Sequence, residues 1–173
     1  MMVEWINSTN ITGLDKGRYA ASLGDAHQYL VIGILMRLGF QVAHVTDRGL
    51  PYDIVIRAFK KEGGEAVLIR CQVRTIRKDR GEGKISFIAG TRAGVDREYK
   101  SGVKQYKFTT EHNDLLIGVD PETLDLYLIP TRFTEEWGRE KAVSKLKPLK
   151  NNWDILLNWN DEFLRKLQKQ LPP

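Results

Sequence analysis

Pro51–Thr75 reads PYDIVIRAFKKEGGEAVLIRCQVRT, two runs rich in Val, Ile and Leu on either side of a Lys60-Lys61-Glu62-Gly63-Gly64 break. A glycine-bearing break between two such runs predicts a β-hairpin. With the turn centred between Glu62 and Gly63, the antiparallel register sets Asp53 opposite Gln72, Val55 opposite Arg70 and Pro51 opposite Arg74. Side chains alternate with a period of two, so Ile54, Ile56, Val67, Ile69, Cys71 and Val73 share one face. Asp53, Arg57, Arg70, Gln72 and Arg74 share the other. A face as regular as the first belongs on a core. The second gathers a carboxylate, an amide and three guanidinium groups, which suits an anion site with or without a metal. The plainer explanation is a solvated strand face, on which an Asp–Gln cross-strand pair contributes about 0.2–1 kcal/mol.

Charge patterning favours the functional explanation. The chain carries a net charge of +5. Val67–Lys107 holds eleven basic residues against four acidic ones, a net of +7, and leaves the remainder slightly acidic. A focused basic segment beside a polar sheet face points to a polyanion. Arginine predominates next to the hairpin, and its planar fork of donors suits phosphate. Arg77, Arg80, Arg92 and Arg97, together with Arg70 and Lys78, are the candidate nucleic-acid contacts.

At 173 residues one domain with its own core is expected. The single cysteine, Cys71, falls on the apolar face of the hairpin and reads as a small core residue, which excludes a disulfide framework or thiolate metal site. No apolar run has the length of a bilayer span. The start MMVEWINSTNITG lacks a basic head followed by an apolar stretch, so no secretory leader is expected, its two sequons carry little weight, and the expected setting is cytoplasmic and reducing.

Along the chain, Ala20, Leu23, Ala26, Leu30, Ile34 and Leu38 recur at helical steps, predicting a helix from Lys16 to Leu38 stopped by Gly39. Its second half, YLVIGILMRL, is expected to be buried nearly all round. Phe40–Val45 reads as a strand, Lys84–Ala89 as another, and residues 90–104 as a Gly- and Arg-rich loop. The GEGKIS segment is no P-loop: Lys78 stands where the first glycine is needed and Ile85 where Ser or Thr is needed. Asp114–Val119 and Leu124–Ile129 predict a second hairpin, and Pro130–Leu149 is mixed, with one short helix. From Asn152 an amphipathic helix is expected, its Trp153, Leu156, Trp159, Phe163 and Leu167 stripe packing on the core. The order predicts an α/β domain around a mixed sheet.

This layout resembles the PD-(D/E)XK nuclease superfamily, and most of all its Q-x-K branch, the restriction-like endonucleases that include intron-encoded homing endonucleases. The resemblance lies in Gly24-Asp25-Ala26-His27-Gln28 opening the helix, Leu38-Gly39-Phe40 closing it, Pro51-Tyr52-Asp53, and Cys71-Gln72-Val73-Arg74-Thr75, with the 114–130 segment also similar. It implies a restriction-endonuclease-like core: a mixed central β-sheet flanked by helices, within one domain over 1–173. The core runs over about 16–130, with the C-terminal helix, about 152–170, as an addition. It further implies DNA as partner, Mg²⁺ (or Mn²⁺) as cofactor and a homo-oligomer, dimer or higher. Under it Asp53, Gln72 and the Val73 carbonyl hold the metal, Arg74 stabilises the scissile phosphate, and Gln28 or Asp25 assists from the helix. The chain departs from the pattern in three places. Gln28 stands for the helix glutamate, and Gln72 offers an uncharged amide. Arg74 replaces lysine and, staying protonated, cannot act as a base.

Two functions follow from the same residues. The favoured one is a Mg²⁺-dependent endodeoxyribonuclease; the alternative is a catalytically impaired module of the same fold that binds DNA or serves as structure. A third reading makes the chain an interaction domain that dimerises through its Trp-rich terminal segment.

Overall fold

The hairpin read from the sequence forms the centre of a five-stranded sheet. The computed structural model describes residues 10–47, 49–58, 66–78, 81–89 and 106–172. In chain order these form helix α1 (Lys16–Arg37), strands β1 (Gln41–His44), β2 (Ile54–Ala58), β3 (Val67–Thr75), β4 (Lys84–Ser86), β5 (Ile88–Ala89), β6 (Tyr106–Lys107), β7 (Leu115–Val119) and β8 (Leu126–Pro130). There follow α2 (Thr131–Thr134), β9 (Glu140–Ala142), a 3₁₀ helix (Val143–Leu149), α3 (Asp154–Leu157) and α4 (Asp161–Gln168). The central sheet runs β1-β2-β3-β7-β8. Only β3 and β7 are parallel; the other neighbours are antiparallel. The fold is therefore the expected mixed α/β class.

The β2–β3 register is the one predicted, with Ile54 opposite Cys71 and Val55 opposite Arg70. Ile54, Ile56, Ile69 and Cys71 are completely buried. Burial drives the Cys71 thiol well above its ordinary pKa, so it is an inert core group. The turn residues 60–64 lie outside the described residues, as do Arg80, Arg92, Arg97 and the 90–104 loop.

Asp15 caps α1, its Oδ1 accepting from the backbone N–H of Gly17 (3.1 Å) and Arg18 (3.0 Å). At the other end Gly39 takes φ +91°, a left-handed conformation that ends the helix at low steric cost. The expectation of all-round burial fails. His27, Val31 and Leu35 form the buried line, whereas Tyr29 is 62% and Met36 60% exposed. The sheet receives one stripe of the helix, which leaves the apolar residues opposite that stripe at the surface.

Lys84–Ala89 is two strands rather than one. β4 pairs with β9, and β5 pairs with β6. The switch falls at Phe87, fully buried between the two short ribbons. The C-terminal helix is likewise two helices: Asn160 interrupts it and caps α4 by accepting from Phe163 N–H at 2.9 Å. Trp153, Trp159 and Phe163 pack on the core as expected.

β7 and β8 are buried on both faces, because β4 and its neighbours lie over the face opposite α1. Gly118 on β7 leaves room for this layer: a Cβ there would stand 2.7 Å from Ile85 Cδ1, and Ile85 is itself fully buried. Gly118→Val is therefore expected to destabilise the fold by about 2 kcal/mol through overpacking. Urea denaturation checks this, and an unchanged midpoint would show that the second layer yields freely.

Candidate active site

The polar face of the hairpin is as crowded as the sequence implied, and its residues fall into a connected set. Asp53 stands just ahead of β2, still in register, its N–H donating to Cys71 O at 2.8 Å. Its Oδ2 accepts from Val73 N–H at 2.8 Å and from Gln72 Nε2 at 2.5 Å. Gln72 Nε2 also points to Val73 O at 3.4 Å. The amide nitrogen thus lies between a carboxylate oxygen and a carbonyl oxygen. Arg74 is next along the same face of β3, where its Nη2 donates to Ile88 O at 3.2 Å and its guanidinium lies 5.0 Å above the Phe108 ring. Asp53, Gln72 and Val73 come together; Arg74 adjoins them, fixed by β5 and Phe108.

The helix residues expected to assist do not join this set. With His27 facing the sheet, Gln28 is turned about 100° further round the helix and meets β1, its Oε1 3.3 Å from His44 Nε2. Asp25 is exposed. The phase of the helix turns both residues away from the set, and a nearly continuous apolar run leaves that phase open in the sequence. The inward position belongs to His27, which is buried and places Nδ1 2.7 Å from Thr75 Oγ1.

Burial lowers the His27 pKa below its ordinary 6.5. A histidine lowered in the fold is neutral there while the unfolded chain takes up a proton, so its stabilising share is complete above pH 6.5 and declines as the pH falls toward the folded value. Thermal unfolding is expected to show this acid-side loss, and His27→Gln to reduce it. An identical pH profile in the variant would contradict the assignment.

Several of the basic residues expected to grip a strand are engaged within the chain. Arg70 forms a fork with Asp114, Nε to Oδ2 at 3.0 Å and Nη2 to Oδ1 at 2.9 Å. It also donates to Glu111 O and Thr110 O. Arg77 and Lys84 share Glu140, at 2.7 and 2.9 Å. Lys78 pairs with Asp120 and Glu122. The two Glu140 pairs are exposed, weak and open to exchange with an incoming phosphate, whereas the Asp120 carboxylate that Lys78 meets is buried. The Arg70 fork is half-buried and is first of all a structural tie.

Sequence reasoning missed the cluster beside Arg74. Tyr106 and His112 rings stack 4.6 Å apart, and both meet Phe108 edge-on. Nothing in the spacing of Tyr106, Phe108 and His112 marks them, since the turn that brings them together is tied by Arg70, forty residues earlier in the chain.

Among the described residues no group of three or more His, Cys, Asp or Glu is placed to hold a metal ion. The donors available at Asp53 are one carboxylate, one carbonyl and one amide, all suited to a hard cation through oxygen. No helix among the described residues is long and apolar enough to cross a membrane.

The fold is a five-stranded mixed sheet with a helix on one face and the carboxylate, amide and guanidinium on the other. A solved structure of the same architecture is the bacterial homing endonuclease I-Ssp6803I. The two align over 83% of this chain and 95% of that one, with a TM-score of 0.61 and 16% identical residues, a likeness of fold. No family model and no curated protein matches the chain.

Proposed function

We propose that the chain is a DNA-binding endonuclease of the PD-(D/E)XK type, Q-x-K branch, hydrolysing phosphodiester bonds with Mg²⁺ or Mn²⁺. The observation that carries this reading is the Asp53–Gln72 pair, its amide nitrogen held between Asp53 Oδ2 and Val73 O at 2.5 and 3.4 Å. A partial positive charge lying between two oxygens marks a place a cation fits. Asp53 and the Val73 carbonyl would hold the ion, and Gln72 would join them by turning its amide end for end to present Oε1. Bound there, the ion would neutralise phosphate charge and supply water acidified enough to act near neutral pH.

The chain's own residues supply the rest. The Arg74 guanidinium is held against Phe108 with fixed direction and permanent charge, suited to stabilising negative charge that builds on the phosphate. It neither gives nor takes a proton. Gln72 and Val73 N–H orient the Asp53 carboxylate. Arg77 and Lys78, with Arg80, Arg92 and Arg97, would contact the backbone of the strand. Self-association as a dimer or higher oligomer falls most naturally to the outer face of α1, where Tyr29 and Met36 are exposed.

Supercoiled plasmid incubated at low salt with Mg²⁺ or Mn²⁺ tests the reading. Nicked or linear product is expected from the parent chain, and none in EDTA; plasmid unchanged by the parent under every condition overturns it. One observation favours a second reading, a module that binds DNA without cutting: Asp53 is the single carboxylate of the set, with Gln28 turned to His44. That reading predicts metal-independent binding that weakens steeply with salt.

A further inference from the structure

Between β6 and β7 the chain crosses the polar face of the β2–β3 hairpin, and bonds fix each point of the crossing. Phe108 lies beneath the Arg74 guanidinium. Thr110 and Glu111 offer their carbonyls to Arg70 at 2.8 and 3.0 Å. Asn113 Nδ2 donates to Pro51 O at 3.1 Å, two residues before Asp53. The crossing therefore borders the Asp53–Gln72–Arg74 set from Arg74 at one end to Pro51 at the other, and His112 stands within it.

The tautomer of that ring is set locally. His112 Nδ1 accepts from Thr109 N–H at 3.1 Å, so the ring proton of the neutral imidazole sits on Nε2. Tyr106 backs one face of the ring at 4.6 Å and 31°, and Phe108 meets it at 78°. His112 is half-buried, and among the described residues the hydrogen bonds of its ring go to Nδ1 and none to Nε2. The ring thus offers an oriented donor edge, with one stacking face already covered. A donor edge of fixed direction, on a crossing held by two guanidinium groups, suits a phosphate oxygen rather than a nucleobase plane.

We propose that His112 Nε2–H is a strand-positioning donor, hydrogen-bonding a non-bridging phosphate oxygen of nucleic acid bound at Asp53, Gln72 and Arg74. Tyr106 holds the ring at its angle, and Arg70 ties the turn that carries it. The inference rests on the nucleic-acid reading of that site. It also gives Arg70 a role the sequence did not suggest, that of placing another residue rather than touching the strand.

Anisotropy of a fluorescein-labelled DNA duplex, titrated with the full chain in EDTA so that no cleavage intervenes, tests the donor. His112→Phe keeps a ring and loses the N–H; affinity is expected to fall about tenfold, the size of one lost hydrogen bond. His112→Gln puts an amide N–H near the same place and is expected to bind within about twofold of the parent. Tyr106→Leu, which leaves the donor but removes its backing, is expected to fall about threefold. Melting curves accompany each variant, and Tyr106→Leu carries the test if a His112 variant does not fold. Parent affinity in His112→Phe, or a loss in His112→Gln as large as in His112→Phe, overturns the donor. A parent chain that binds no duplex removes the nucleic-acid reading, and the donor with it, a result distinct from all variants binding as tightly as the parent.

Discussion

Asp53→Asn is expected to lower plasmid cleavage by about 10³-fold, the several kcal/mol that a held cation contributes to a charged transition state, while thermal stability stays level or rises. The two halves of this expectation come from one geometry. Asp53 Oδ2 receives the Val73 N–H and the Gln72 amide. An asparagine oxygen still accepts from Val73 N–H, and Gln72 can turn to offer its oxygen to the new amide. These two bonds are kept while a half-buried charge is shed, whose desolvation works against stability. A purely structural Asp53 predicts the reverse: stability lost by about 1–2 kcal/mol as a charged hydrogen bond disappears, and no change in any activity. Activity and melting, measured on the same sample, separate the two.

Arg74→Ala is expected to lower the cleavage rate by about 10²-fold with little change in duplex affinity, because the guanidinium is placed to act on charge that grows during reaction. The side chain is anchored at 3.2 Å to Ile88 O and over Phe108, so truncation also removes packing, and some stability is lost with it. Arg74→Lys restores a cation but neither the fork nor the aromatic contact. It also introduces the residue that the resembling family carries here, and its rate is expected to lie above that of Arg74→Ala. Equal rates in the two variants would mean that the charge at this position does not act on the phosphate. The parent rate in Arg74→Ala would remove Arg74 from the site.

The hairpin was legible because its signals are local. A period-two apolar face and a glycine turn specify the register, and the register alone places Asp53 across from Gln72. The second hairpin, 114–130, was legible for the same reason. What escaped was whatever depended on rotation or distance. The α1 run YLVIGILMRL permits more than one inward phase, and the actual one selects His27, sending Gln28 to His44. Phe87 divides a stretch that reads as one strand, because its two halves find different partners, β9 and β6. Arg70 looked like a phosphate contact until Asp114, far along the chain, was brought opposite it by the parallel β3–β7 pairing. Tyr106 and His112 carry no motif; their meaning comes from the turn that Arg70 holds.

Crystals soaked in Mn²⁺ test most directly whether Asp53, Gln72 and Val73 form a cation site. The structure predicts an anomalous peak about 2.1–2.3 Å from an Asp53 carboxylate oxygen, the range of a hard divalent ion with oxygen ligands, and a Gln72 amide reversed to present its oxygen. A saturating soak that gives no peak there, with Gln72 Nε2 still donating to Asp53, would contradict it.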